Sequence, residues 1–384
     1  MTTEVLRTAI VGCGVIGRLH ADAVAATDGL TLTAVVDVSR ERADALADRV
    51  AAEGSPRPVV YATVAELFAD GSGPDLVVVA TPSGLHVEQA VTALENGAHV
   101  IIEKPLDVDL GRARRLVEAA HAAAERGQVC SVISQHRLDP ASEIVHDAIA
   151  AGGLGRITSA VASLAWWRSQ KYYDSGDWRG TWALDGGGAL MNQGVHTLDL
   201  LLWFLGTPRT VSAEIALLAH EGVEVEDTAA ATLTFESGAL AVLHATTAAF
   251  PGMTARLQVM GTRGTAVIDG DRLDYIHQSG GDEETDLGLQ GQGNQAGTFG
   301  LAAPEDPRDA TEFTEGHMRQ YRDVVAAITT GSRPVVTVDD AFLALATIRA
   351  VYVSAQLGER VSVADVIAGR HDEVVVSVRE QHTD

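Results

Sequence analysis

Thr8-Ala9-Ile10-Val11-Gly12-Cys13-Gly14-Val15-Ile16-Gly17 is an apolar run that breaks into three glycines and then continues as a helical pattern. The order is strand, tight turn, helix. Gly12 permits the turn, Gly14 lets a pyrophosphate approach the backbone, and Gly17 lets the helix close on the strand. Free N–H groups at the helix start, around Val15 and Ile16, would then meet the phosphates. Asp37 ends the second strand about twenty residues on, where an acid takes the adenosine ribose hydroxyls. Such an acid repels a 2′-phosphate, so NAD is expected over NADP, although Arg40 and Arg42 lie close by.

Outward from this turn, apolar strands alternate with amphipathic helices. Strands read at Thr8–Val11, Leu32–Val36, Leu76–Ala80, His99–Ile102 and Val129–Val132. Helices read at Ile16–Ala26, Arg40–Ala51, Val64–Phe68, Leu85–Asn96 and Leu110–Arg126. Alternation of this kind implies a parallel sheet with right-handed crossovers, and the continuous apolar strands imply helices on both faces. The fold class is α/β, with an N-terminal Rossmann domain over 1–135. Gln135–Pro140 reads as the crossover, with Asp139 as N-cap and Pro140 at the first helical position.

Beyond it the period changes. Alternating strands read at Ile157–Trp166, Val211–Leu218, Ala229–Phe235, Ala239–Thr246, Ala255–Met260 and Thr265–Ile268, with a helix near Leu190–Leu205. A mostly antiparallel sheet follows. Gly280–Pro307 reads as a long loop, and helices follow at Gly316–Thr330 and Ala341–Leu357. The second domain is expected over 136–370, with 371–384 as a tail.

Composition bounds the function. A formal net charge of −24 repels nucleic acid and anionic membranes, and no basic stripe offsets it. No uninterrupted apolar stretch is long enough to span a bilayer. The N-terminus shows no leader pattern, so a cytoplasmic protein is expected. Cys13 and Cys130 match no disulfide framework or zinc spacing and are expected as buried thiols; no metal site is expected.

Three further segments carry chemistry. Thr81-Pro82-Ser83-Gly84-Leu85-His86 follows a strand at the edge where doubly wound sheets bind ligands, making Thr81, Ser83 and His86 candidate cofactor contacts. Glu103-Lys104-Pro105 ends the next strand. Lys104 and Lys171 are the only lysines among 28 basic residues. A lysine kept where arginine serves elsewhere suggests a task for a compact, tunable ammonium. Lys104 is therefore a candidate catalytic group and, with Glu103, a candidate cofactor contact. In Asp185–Asp199 a glycine-rich run enters a helix; Asn192 and His196, four apart, would share a face, and Asp199 could fix the His196 tautomer. His196 is a natural acid–base group for alcohol–ketone interconversion. Upstream, Trp166, Arg168, Tyr172, Tyr173, Trp178, Arg179 and Trp182 concentrate aromatic rings and guanidinium groups. Such surfaces stack on sugars and hold carboxylates or phosphates, making Arg168, Trp178 and Arg179 candidate substrate contacts.

The pieces GCGVIGRLH, Asp37, TPSGLH, EKPL and GGGALMNQGVH, in this order, resemble the glucose–fructose oxidoreductase / inositol dehydrogenase / rhizopine-catabolism family. The resemblance implies a second α/β domain with an open, mostly antiparallel sheet, and homodimers or homotetramers formed through it. It implies oxidation or reduction of one carbinol of a sugar, sugar acid, inositol or nucleotide sugar, with Lys104 and His196 catalytic. The common family pattern has aspartate four before the histidine. Asn192 stands there and cannot take a proton. The WRGTW-x2-DGGG-x-LMNQ run is similar to that of UDP-N-acetyl-glucosaminuronate 3-dehydrogenases. Two alternatives stay open: an enzyme using bound NAD transiently to break a sugar bond, and a nicotinamide-binding sensor without turnover.

Overall fold

The computed structural model of the chain describes residues 5–69, 71–176, 178–279, 293–301 and 310–378. The expected loop Gly280–Pro307 lies outside the described residues except for 293–301, and the expected tail 371–384 except for 371–378. Two compact units form: Met1–Gln135 with Asp309–Phe342, and His136–Arg308 with Leu343–Asp384.

In the first unit a six-stranded parallel sheet is built from β1 (Leu6–Val11), β2 (Leu30–Val36), β3 (Val59–Tyr61), β4 (Leu76–Val79), β5 (His99–Ile102) and β6 (Cys130–Val132). Its order is β3-β2-β1-β4-β5-β6. The chain reverses direction of growth between β1 and β4, and ligands of such sheets bind at the carboxyl ends there. Leu76, Val77, Val78 and Val79 are all fully buried, as helices on both faces require. The short edge strand β3 has no sequence counterpart in the reading above; three half-exposed residues after Pro58 carry too little pattern.

The expected domain 136–370 is corrected. Helix Ala310–Thr330 belongs to the first unit. Its Tyr321, Val324 and Ala327 join the core around Ile10, Leu46 and Ile101. Gln320 fastens it to β6 by donating to the Val132 carbonyl (2.7 Å) across 188 residues of sequence. A helical period says which face is apolar but not which sheet it covers.

The second unit carries an eight-stranded sheet from β7 (Ile157–Ala165), β8 (Pro208–Ala216), β9 (Thr228–Phe235), β10 (Leu240–Thr246), β11 (Arg256–Gly261), β12 (Gly264–Asp269), β13 (Arg272–Gln278) and β14 (Val361–Ser362). The order is β13-β12-β11-β7-β10-β9-β8-β14. Only β7 and β10 pair in parallel; the other pairs are antiparallel. One face is buried under helix Val195–Leu205 and the other meets solvent, giving the alternating burial of β8 to β10. β13 was not foreseen, because as a polar edge strand it alternates weakly. Arg137 donates twice to Asp199 (2.8 and 2.7 Å), a buried ion pair inside this unit.

Pro140 opens a helix as expected, but the Asp139 side chain does not cap it. Its carboxylate accepts from His136 Nδ1 at 2.7 Å instead. Both cysteines are free thiols, and burial pushes each up to about 12. Among the described residues no helix is long and apolar enough to cross a membrane.

Candidate active site

The first unit offers a cradle at the carboxyl edge of its sheet. Gly12 has φ +100°, and a Cβ there would lie 2.4 Å from the Ala80 carbonyl oxygen. A Cβ on Gly17 would lie 1.9 Å from the Gly12 carbonyl oxygen. These two glycines are demanded by the turn itself. Gly14 differs: nothing lies within 4 Å of an added Cβ, so the space above it is open. It stands at the N-cap of α1 (Val15–Ala25) and provides no side-chain cap for the helix N–H groups. Val15, Ile16, Val38 and Leu85, all exposed apolar side chains, follow β1, β2 and β4 at this edge. Thr81 Oγ1, just after β4, is buried without a hydrogen-bond partner, and Ser83 is buried beside it in the chain. Uncapped N–H groups, uncovered apolar side chains and an orphaned hydroxyl together fit a dinucleotide. Gln135 Oε1, after β6, is a second orphaned buried atom that sequence reasoning missed.

Asp37 is drawn into the protein. It accepts from the N–H groups of Cys13 (2.9 Å) and Ser39 (2.8 Å) and from the Arg42 guanidinium (2.9 Å). Burial would raise its pKa, but Arg42 and the N–H groups of Cys13 and Ser39 together outweigh burial and lower it. Arg40 pairs with Asp44 instead.

Two residues expected at the cofactor have side chains engaged inside the protein. His86 is buried, with Nδ1 2.8 Å from the Pro105 carbonyl oxygen and Nε2 2.9 Å from that of Thr81. Burial lowers its pKa, and the ring ties together the ends of β4 and β5. Glu103 also faces inward. His20 Nε2–H donates to its Oε1 (3.0 Å), His317 Nε2 lies 3.5 Å from the same oxygen, and the Lys104 N–H donates to Oε2 (3.0 Å). Burial lowers the pKa of His20, so the neutral ring accepts the Tyr321 hydroxyl proton at Nδ1 (2.9 Å). Burial alone would raise Glu103; the two imidazoles outweigh it and hold the carboxyl well below its usual range. Glu103 thus braces the backbone of half-buried Lys104. His20 belongs to GCGVIGRLH, whereas His317 and Tyr321 had no sequence signal.

In the second unit the helix expected over Leu190–Leu205 is two things: a π segment, Ala189–Gly194, and an α-helix, Val195–Leu205. π turns cluster at functional sites. Between residues 189 and 205 only Asn192, His196 and Trp203 are not buried. Asn192 Nδ2 donates to the Gly187 carbonyl (2.8 Å). The His196 ring meets His136 edge-on, with centroids 5.1 Å apart. Burial opposes charge on His136, but Asp139 and Asp271 outweigh it and push its pKa up to about 10. Asp199, expected beside His196, has both oxygens bonded to Arg137.

The aromatic segment forms a layered cluster. Arg168 (5.1 Å) and Arg179 (4.4 Å) both lie over the Tyr172 ring; Arg168 also covers Trp166, and Arg179 covers Trp178 at 4.4 Å. Gln193, next to Asn192, donates to the Tyr172 hydroxyl (3.1 Å). Both Arg168 Nε and Arg179 Nε are buried without a partner. Lys171 is exposed in this same segment.

Residues 6–134 match the family model of oxidoreductases with an NAD-binding Rossmann fold, and residues 143–267 match that of the GFO/IDH/MocA C-terminal domain. The chain is similar to the WlbA dehydrogenase from Bordetella pertussis, solved with NADH and UDP-GlcNAcA: 29% identity over 94% of this chain and 99% of that one, TM-score 0.78. It is 27% identical to the scyllo-inositol 2-dehydrogenase (NAD(+)) of Bacillus subtilis, over 88% of this chain and 91% of that one. It is 30% identical to an uncharacterised oxidoreductase, YdgJ, of Escherichia coli, over 68% of this chain and 70% of that one. The chain belongs to the GFO/IDH/MocA oxidoreductase family and binds NAD through its Rossmann unit.

Proposed function

We propose that the chain is an NAD-dependent dehydrogenase acting on a carbinol of a sugar that bears an anionic group, a uronate or a nucleotide sugar. The observation that carries the anionic group is the Arg168–Tyr172–Arg179 stack. In a chain of net charge −24, two neighbouring guanidinium groups have no carboxylate within ion-pair distance among the described residues. Stacked, preorganised guanidinium groups suit bidentate carboxylates and phosphates. The WlbA complex with UDP-GlcNAcA supports the same class.

Bound nicotinamide supplies the hydride acceptor or donor. In the oxidative direction His196 takes the hydroxyl proton. Lys104 supplies a hydrogen bond that steadies developing charge on a substrate oxygen. Asn192, tied to Gly187, orients a substrate hydroxyl and takes up no proton. Gly12, Gly14, Val15, Ile16 and Gly17 cradle the pyrophosphate, Asp37 takes the ribose, and Thr81 and Ser83 contact the cofactor. NAD is favoured over NADP because an acid at Asp37, ending β2, would repel a 2′-phosphate, although Arg42 offsets part of its charge. A homo-oligomer formed through the solvent face of the second sheet, where Leu240 and Val242 are exposed, completes the reading.

The test follows NADH absorbance with NAD and NADP across uronates, nucleotide sugars, inositols and neutral sugars. Turnover of anionic sugars with NAD is expected. Turnover confined to neutral substrates would remove the role given to Arg168 and Arg179.

A further inference from the structure

Three successive amides of the glycine-rich run are bound by one residue of β9's entry, Glu226. Gly188 N–H donates to its Oε2 (2.9 Å), Leu190 N–H to its Oε1 (2.9 Å), and Ala189 N–H to its carbonyl (3.0 Å). The Tyr352 hydroxyl donates to Oε1 (3.1 Å). Both side chains are buried.

The glycines are built around this pair. A Cβ on Gly187 would lie 2.2 Å from the Tyr352 hydroxyl, and a Cβ on Gly188 would lie 1.6 Å from the Glu226 carbonyl oxygen. The close approach that the glycine run permits is therefore made by the protein's own residues. On the other side of the turn the Gly187 carbonyl accepts from Asn192. One rigid unit thus runs from Tyr352 through Glu226 and the Gly187–Leu190 backbone to Asn192, and the π segment that follows leads into the helix of His196.

We propose that Glu226 and Tyr352 are positioning residues for Asn192 and His196, fixing the turn on which both are mounted. The functional half of this rests on the dehydrogenase reading above. A carboxylate is needed because two N–H groups meet two different oxygens; an amide offers one acceptor and one unwanted donor. The choice has a cost. Glu226 has no basic partner among the described residues. Its surroundings are Tyr352, Tyr173 and the neighbouring Asp227, whose carboxylate is taken by His220. Burial therefore pushes its pKa up to about 7, and the N–H donors offset only part of this. Once protonated, an oxygen that must accept becomes a donor. The N–H donors lower this pKa, so a loosened turn that loses them while the carboxyl stays buried binds the proton more tightly still, and protonation loosens the brace without exposing Glu226.

The test is amide hydrogen exchange of peptides covering 186–194 against pH, with kcat and KM on the active sugar. In the native protein, protection corrected for intrinsic rates is expected to fall as pH drops through about 7. Tyr352→Phe removes a donor to the carboxylate, so the fall should move to higher pH. Its kcat should drop about tenfold with KM nearly unchanged, as misplaced groups cost rate. Glu226→Gln should show weak protection with no pH step. Exchange independent of pH in the native protein, or a Tyr352→Phe variant with unchanged kcat and unshifted exchange, would overturn the proposal. Should no sugar be turned over while exchange follows this course, the dehydrogenase reading fails and the brace itself stands. Should Glu226→Gln not fold, Tyr352→Phe alone decides.

Discussion

Glu103 in the first unit and Glu226 in the second are both buried glutamates whose carboxylates hold the backbone beside a proposed catalytic residue. Glu103 is bonded to two imidazoles and stays ionised. Glu226 is bonded to two peptide N–H groups and a phenol, and its pKa rises to about 7. Burial is common to both, so it does not decide their charge. What decides is whether a basic side chain stands among the donors. One brace is insensitive to pH over the neutral range, and the other sits at its midpoint.

The largest expected effects lie on what the braces hold. Lys104→Met and His196→Asn should each lower kcat roughly a hundredfold or more, the scale for removing a proton-transfer or charge-steadying group. Near-normal turnover by either variant would separate the braced segments from the chemistry.

Next comes stability against pH. Glu226 has a folded pKa above its unfolded value near 4.5, so the unfolded chain ionises first and stability is lost as pH rises from there to about 7. At about 1.4 kcal/mol per unit this amounts to roughly 3 kcal/mol. Glu103 has the opposite sign: its contribution is present above the unfolded value and lost as pH falls through its depressed one. Urea unfolding from mildly acid to mildly alkaline pH should show Glu226→Gln flattening the decline between about pH 4.5 and 7 and Glu103→Gln losing stability at neutral pH and above. Parallel profiles for the two variants would break the contrast.

A smaller effect is expected in the arginine stack. Arg179→Ala should raise KM for an anionic sugar about tenfold, the loss of one charge-assisted contact, and leave kcat within a few-fold. An equal rise for a neutral analogue would point to packing on Tyr172 and Trp178 instead. The smallest concerns Arg42, which is half exposed beside Asp37. Arg42→Ala should shift the NAD-to-NADP preference further toward NAD by a few-fold, measured as the ratio of kcat/KM values.

By itself the sequence determined what depends on neighbours in the chain. The glycine turn, the strand–helix alternation, the change to an antiparallel pattern and the positions of Lys104, Asn192 and His196 are all local, because backbone geometry and side-chain period act over a few residues. The family pieces in order carried the same information. Tertiary structure decided what depends on residues far apart. The side chains of Glu103 and His86 face the interior, where Thr81, Pro105, His20 and His317 supply their partners. Helix Ala310–Thr330 returned to the first sheet. The glycine run before Asn192, legible as a place of close approach, turned out to be approached by Glu226 and Tyr352. No period in a sequence records which distant group will desolvate a carboxylate, and that is what sets its charge.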